Sequence, residues 1–308
     1  MAYVPFPPAL RPGDTVALVA PARRITAEEV APAVRLLESW GLRVQLGVSI
    51  GAEEHQFAGS DALRRVDLQR ALDDPAIRAV LCARGGYGTA RLLDDLDFTG
   101  FRAHPKWVAG FSDATALLAH LWCQAGTASL HATMPVLMGR PEHEAADESL
   151  RQLLFGDPPG EPLTYAAAPH PLNRPGTARG RLLGGNLTVL HTLLGTASDV
   201  DWDGAILFIE DLDEYLYHID RMMGHLVRTG RLARLAGLVV GHFSLMRDNT
   251  VPFGVSACDV IGQHVAAYNF PVGFGFSAGH EPLNIAFIHG APVVLTVDET
   301  SGLTLTYQ

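Results

Sequence analysis

The chain is 308 residues long, enough at about 150 residues per domain for two domains and a sizeable core without disulfide or metal staples. Hydrophobic residues make up 48% and charged residues 18%, an ordinary globular balance that excludes wholesale disorder, a collagen-like repeat and a coiled coil. Lys and Arg number 23 against 33 Asp and Glu, and a formal charge of −10 argues against broad binding to nucleic acid or an anionic membrane, both of which need a cationic surface.

The first eight residues have neither a charged nor an apolar run and do not read as a signal peptide. Residues 15–20 are a short β-branched apolar run closed by Pro21, the pattern of a buried strand. Thr26 and Glu29 form a capping box, and Val30, Val34, Leu37 and Trp40 follow at helical spacing until Gly41. Residues 42–48 read as a second strand, Ser60 caps a helix to about Leu72, and residues 77–83 form a third strand ending in the turn Gly85-Gly86-Tyr87-Gly88. A short helix is expected over 89–96, a fourth strand over 107–111 broken at Ser112, and a helix over 115–124. Strands alternating with helices argue for a parallel sheet covered on both faces.

Residues 156–176 hold six prolines and few long apolar side chains, so they read as an extended linker between an N-terminal domain (1–155) and a C-terminal domain (177–308). Beyond it come a strand over 179–183, a helix over 186–194, a strand over 205–209 ending at Glu210, and a helix over 214–228. A strand over 235–240, a helix over 256–267 and a terminal hairpin over 293–307 complete the pattern. The fold class is α/β: a parallel-sheet domain followed by a mixed α/β domain with a β-rich end. Cys82, Cys123 and Cys258 are an odd, widely spaced set with no C-x-x-C pair; each reads as a free thiol in apolar surroundings, pointing to a reducing compartment and hence the cytoplasm.

Four places could carry chemistry. Ser112, in Gly110-Phe111-Ser112-Asp113-Ala114 between a strand and a helix, is either a nucleophile held out at a sheet edge or simply the N-cap of the next helix. Arg84-Gly85-Gly86-Tyr87-Gly88 lets backbone approach a ligand closely or only makes a turn; G-x-G-x-x-G and the phosphate loop are absent. Glu210-Asp211 ends a buried strand, where open α/β sheets place ligands, with a cap or an ion pair to Arg221 as the plain alternative. His280 lies among small residues after an apolar strand, with room to act as a base near neutral pH. His218 and His225 could share a helix face, but H-E-x-x-H is absent and no metal site is expected. A serine, an acid and a base at strand ends make a Ser-His-acid triad conceivable, with a site in the interdomain cleft if they meet.

These blocks resemble the LD-carboxypeptidases, the S66 family of serine peptidases that act on murein tetrapeptide. The resemblance rests on Leu10-Arg11-Pro12-Gly13-Asp14, Arg84-Gly85-Gly86-Tyr87-Gly88, Gly110-Phe111-Ser112-Asp113, Glu210-Asp211 with Tyr217-His218-Ile219-Asp220-Arg221-Met222, and Gly279-His280 with Asn284. The blocks run in family order over nearly the whole chain. The resemblance implies a triad of Ser112, Glu210 and His280, a C-terminal domain with a barrel-like β core, a homodimer, no cofactor and no metal. It implies release of the terminal D-Ala from cytoplasmic murein tetrapeptide in cell-wall recycling. The backbone N–H groups of Gly86 and Asp113 are the expected oxyanion hole, and Arg84, Gly85 and Tyr87 the expected substrate contacts. This chain departs from the family's usual pattern at Phe111, often Tyr, at His131-Ala132-Thr133-Met134, often His-Gly-Pro-Met, and after His280. These changes touch pocket lining more than the triad and bear on substrate preference, not on the chemistry. Two alternatives stand beside this reading: a microcin immunity-type hydrolase of aminoacyl-adenylate analogues using the same triad, or a non-catalytic binder of cell-wall peptides.

Overall fold

The computed structural model describes residues 6–156 and 163–308. The first five residues of the opening segment, and Pro158, Pro159 and Pro162 of the expected linker, lie outside the described residues. The backbone divides into two units: residues 6–156 with Leu193–Asp199 and Pro282–Gly290, and residues 163–192 with Val200–Glu281 and Ala291–Gln308. Two short segments from beyond residue 177 thus fold with the first unit.

The first unit alternates β1 (Thr15–Val19), α1 (Ala27–Ser39), β2 (Arg43–Leu46), α2 (Asp61–Asp73), β3 (Ile77–Cys82), α3 (Thr99–Ala103), β4 (Trp107–Gly110), α4 (Thr115–Ala125), β5 (Ser129–His131) and α5 (Glu144–Phe155). Its six-stranded sheet has the order β11-β5-β4-β3-β1-β2, with β11 (Phe287–His289) supplied from late in the chain. The pairs from β2 through β5 are parallel, as the alternation predicts, and β11 is antiparallel to β5. Val16, Leu18, Val80, Leu81 and Cys82 are fully buried, the mark of strands covered on both faces. Every residue of α4 from Thr115 to Leu121 is also buried, so this helix has no continuous polar face. The chain winds outward in both directions from β1, and the gap between β1 and β3 is the topological switch point.

Local signals explain most of these boundaries. Glu29 N–H donates to Thr26 Oγ1 at 3.2 Å and Thr26 N–H to Glu29 Oε2 at 2.8 Å, the expected capping box of α1. Ser60 accepts from Leu63 N–H at 3.2 Å at the start of α2. Residues 89–96 differ from expectation: they form two 3₁₀ turns, Thr89–Arg91 and Leu93–Asp95, separated at Leu92. Helix α5 falls just before the prolines; Ala146, Leu150, Leu153 and Leu154 make its buried stripe.

The second unit contains β6 (Thr164–Ala167), β7 (Gly176–Asn186), α6 (Leu187–Leu193), β8 (Ile206–Leu212), α7 (Leu216–Arg228), β9 (Gly237–Ser244), α8 (Ala257–Val265), β10 (Val272–Phe274), β12 (Pro292–Asp298) and β13 (Gly302–Tyr307). Its seven-stranded sheet runs β10-β9-β8-β7-β12-β13-β6. Strands β7 to β10 are parallel, whereas β12, β13 and β6 pair antiparallel. Strand β10, at one end of this sheet, comes close to β13, next to the other end: a Cβ on Gly273 would stand 2.8 Å from Leu303. Strand β6 lies inside the proline-rich stretch, where Tyr165 meets the rings of Phe276 and Tyr307, each 6.0 Å between centroids.

Among the described residues no helix is long and apolar enough to cross a membrane. The three cysteines are free thiols. Burial pushes Cys82 up to about 12, and burial with the charge of Asp199 pushes Cys123 up to about 11, so neither is a nucleophile near neutral pH.

Candidate active site

In the first unit the site is built from loops at the carboxyl ends of parallel strands. Strand β4 stops at Gly110, where a Cβ would meet Ala114 Cβ at 2.8 Å and Cys82 Cβ at 3.1 Å. Two residues on, Ser112 has φ = +59°, a left-handed conformation that costs an L residue about 1–2 kcal/mol. An N-cap residue needs extended backbone angles, and neither the turn Ser112–Ala114 nor α4 has a side-chain cap. Ser112 is therefore the strained residue of a strand-to-helix elbow rather than a cap. The buried Asp113 carboxylate accepts from Thr89 N–H at 2.9 Å and ties the elbow to the turn after β3.

That turn is Arg84 to Gly88. A Cβ on Gly85 would lie 3.0 Å from Ser112 Cβ and 3.1 Å from its Oγ, so backbone passes against the serine with no room for a side chain. Gly86 has φ = +108° and rests against the Arg23 side chain. Tyr87 is 52% exposed, with its ring 6.0 Å from that of Phe57. Arg84 Nη1 is 3.4 Å from Glu29 Oε1. Buried Arg64 holds the turn in place. It donates to Gly88 O at 3.1 Å, to Gly59 O at 3.2 Å and to Pro21 O, and its guanidinium lies 4.8 Å from the Phe57 ring centre. The sequence reading passed over Arg64. Its signal was its place four and eight residues before Leu68 and Leu72, on the buried stripe of α2.

In the second unit, β8 and β9 lose register at the critical point. Ile209 faces Val240, but Asp211 faces Phe243, so Gly241 and His242 together oppose Glu210. Such a bulge re-aims side chains. Glu210 is fully buried, and its Oε2 lies 2.6 Å from His280 Nδ1. The side chain of His280 is 12% exposed. Gly279, at φ = +129°, allows this approach: a Cβ there would stand 3.0 Å from Glu210 Oε2 and 3.1 Å from His242 Cβ. Burial works against a charged His280, but the Glu210 hydrogen bond and charge, with Asp211 and Glu281, outweigh it and raise its pKa above the ordinary imidazole value. With Nδ1–H donated to Glu210, Nε2 is the basic nitrogen.

Asp211, one residue on, does different work. It accepts from Asn186 Nδ2 at 2.9 Å, Thr188 N–H at 2.9 Å, Thr188 Oγ1 at 2.8 Å and its own neighbour Leu212 N–H at 2.9 Å, anchoring the start of α6. Burial first and the charge of Glu210 second push its carboxyl up to about 6. Arg221, the alternative partner for this pair of acids, instead lies 5.1 Å from the Tyr217 ring centre. His242, which the sequence reading did not single out, sits in the bulge beside Gly279, and burial lowers its pKa. His218 and His225 are separately engaged, with Glu214 at 2.6 Å and His191 at 2.8 Å. Among the described residues no group of three or more His, Cys, Asp or Glu is placed to hold a metal ion.

The structure thus brings Ser112, Asp113, Gly85 and Gly86 together in the first unit, and Glu210 and His280 together in the second. Two family models match: the LD-carboxypeptidase N-terminal domain over residues 16–132 and the LD-carboxypeptidase C-terminal domain over 179–295. A probable murein peptide carboxypeptidase of Bacillus subtilis is 35% identical over 304 residues, covering 96% of this chain and 93% of its own. A murein tetrapeptide carboxypeptidase of Pseudomonas aeruginosa is 30% identical, covering 91% and 92%. The crystal structure of a muramoyltetrapeptide carboxypeptidase from Oxalobacter formigenes superposes with a TM-score of 0.84 at 27% identity, over 95% of this chain and 98% of that one. The microcin C7 self-immunity protein MccF shares the fold, with a TM-score of 0.88 at 20% identity over 97% of each chain.

Proposed function

The chain belongs to the LD-carboxypeptidase family, and on that premise we propose that it removes the terminal D-Ala from murein tetrapeptide by acyl transfer through Ser112. The observation that carries this reading is the buried Glu210 carboxylate 2.6 Å from His280 Nδ1, an acid–base pair with its tautomer fixed. The strained elbow at Ser112 supports it as well, because strain at a serine persists where function requires it.

In this mechanism His280 Nε2 takes the Ser112 proton as Oγ attacks the carbonyl carbon of the scissile amide. Glu210 holds the ring and stabilises the imidazolium. The N–H groups of Gly86 and Asp113 receive the developing oxyanion, each donor worth about 3–4 kcal/mol of barrier. His280 then protonates the leaving D-Ala amine, and water, activated by the same histidine, frees the acyl group from Ser112. The bond cut joins the L centre of a diamino acid to D-Ala. Ser112 falls in the domain before residues 156–176 and its partners in the domain after it. The enzyme works in the cytoplasm as a homodimer on wall fragments being recycled.

Hydrolysis of an acyl-adenylate analogue has only a likeness of fold behind it, at 20% identity. A non-catalytic role leaves both the strained serine and the buried Glu210–His280 pair without a purpose. The test is D-Ala release from purified tetrapeptide, read by mass spectrometry. Wild-type enzyme is expected to release D-Ala and Ser112→Ala to release none; undiminished release by the variant overturns the mechanism.

A further inference from the structure

A substrate ending in a carboxylate needs local positive charge on a protein of formal charge −10. A cleft in the first unit supplies it. About 410 Å³ in volume, it opens at the carboxyl edge of the sheet, lined by the loop after β1 (Arg23 to Thr26), Glu29, the loop after β2 (Gly51 to Glu53) and Arg84 after β3. This is the switch point between β1 and β3, where open α/β sheets receive ligands.

Its charges are not equivalent. Arg24 pairs with Glu53, and Arg84 reaches Glu29 at 3.4 Å and the Arg24 carbonyl at 3.5 Å. Glu29 is itself fixed by the capping box of α1, so it is a stationary partner for Arg84. Arg23 alone among the three arginines makes no ion pair with the described residues, and it is exposed. Three arginines against two glutamates leave one uncompensated positive charge, and Arg23 carries it. Its stem lies on the reaction side of the cleft. Arg23 Cβ and Cδ stand 3.1 and 3.2 Å from where a Gly86 Cβ would be, while the adjacent Gly85 abuts Ser112.

We propose that Arg23, rather than Arg84, is the specificity residue that anchors the terminal carboxylate of the substrate, with this cleft taking the anionic end of the peptide. The proposal rests on the carboxypeptidase reading above. An arginine presents a planar fork that matches a carboxylate, and its lack of a competing carboxylate leaves that fork available. Arg84 instead braces the loop, through Glu29, against α1.

The experiment compares two tetrapeptides, one ending in D-Ala and one in D-alaninamide, on wild type, Arg23→Gln, Arg23→Lys and Arg84→Gln. For the acid, Arg23→Gln is expected to raise KM about tenfold or more with kcat within about twofold, the signature of lost binding that is uniform through the reaction. For the amide, Arg23→Gln should match wild type, and Arg23→Lys should recover part of the loss on the acid. Arg84→Gln should leave the acid-to-amide ratio of wild type in place. If Arg23→Gln keeps the wild-type ratio, or weakens acid and amide alike, the anchor is overturned while the carboxypeptidase reading stands. If wild type releases neither D-Ala from the acid nor D-alaninamide from the amide, both fall.

Discussion

Glu210 Oε2 lies 2.6 Å from His280 Nδ1, and the carboxylate is completely shielded from solvent while the imidazole is nearly so. A buried carboxylate held this way favours the protonated ring, which raises the His280 pKa despite burial. A general base works only when neutral. The kcat/KM for D-Ala release should therefore rise with pH through a midpoint above the ordinary imidazole value of about 6.5. Glu210→Gln keeps the burial and removes the charge, so its midpoint should fall below that of wild type, and its kcat/KM should drop by roughly two to four orders of magnitude. A pH–rate profile for both proteins checks this. An unmoved midpoint in the variant would detach the rising limb of the profile from His280.

The elbow makes a second, opposite-signed prediction for stability. Ser112 pays for its position with a φ of +59°. Glycine occupies that region freely, so Ser112→Gly should abolish D-Ala release yet melt about 1–2 °C higher than wild type, the relief of strain exceeding the added chain entropy of glycine. Ser112→Ala should be as inactive but gain nothing, since alanine keeps the Cβ. Calorimetry on the three proteins decides the matter; equal melting temperatures for the glycine and alanine variants would mean that the elbow stores no strain.

What could be read from the sequence was what is local. The apolar runs of β3 and β4, the capping box at Thr26 and the cap at Ser60 act within a few residues, and each is where the pattern put it. Adjacent residues with different destinies were not separable: Glu210 and Asp211 are both acids at one strand end. The one-residue bulge between β8 and β9 falls at this point, and Glu210 meets His280 while Asp211 meets the start of α6. The return of residues 282–290 was invisible for a related reason. Three residues, Phe287 to His289, pair antiparallel with β5, and nothing in a segment that short specifies a partner about 158 residues earlier. Arg23 and Arg64 were missed because an arginine's role depends on whether a carboxylate or a carbonyl has already claimed it.

Gly85 tests whether the close approach at the serine is functional. An added Cβ would stand 3.0 Å from Ser112 Cβ and 3.1 Å from Oγ. The neighbour cannot yield without moving the nucleophile, because Asp113 beside it is tied to Thr89. Gly85→Ala should cut kcat by about a hundredfold, as misplacement of a reacting atom by roughly 1 Å does, while the melting temperature falls by only a few degrees. Steady-state kinetics alongside thermal unfolding separates the two effects. An active Gly85→Ala enzyme would show that the turn is there for its shape alone.

Asp147 offers a pH-dependent test of stability away from the serine and histidine. It is 5% exposed; Oδ2 accepts from Gly139 N–H at 2.8 Å, and Oδ1 has no hydrogen-bond partner among the described residues. Burial pushes this carboxyl up to about 6, against the pull of the Gly139 N–H and of His143. An unfolded chain releases the same proton near 3.9. Between those two values the native state therefore binds the extra proton, and stability falls as pH rises through that window, the reverse of the usual acid-denaturation slope. The full penalty, on the order of 3 kcal/mol, is present well above pH 6. Asp147→Asn mimics the neutral acid and should erase this slope. At pH 7.5 it should be more stable than wild type by that amount, and near pH 4 the two should unfold together. Urea titrations at both pH values measure the difference directly; an equal offset at pH 4 and 7.5 would show that Asp147 titrates no differently in the folded chain.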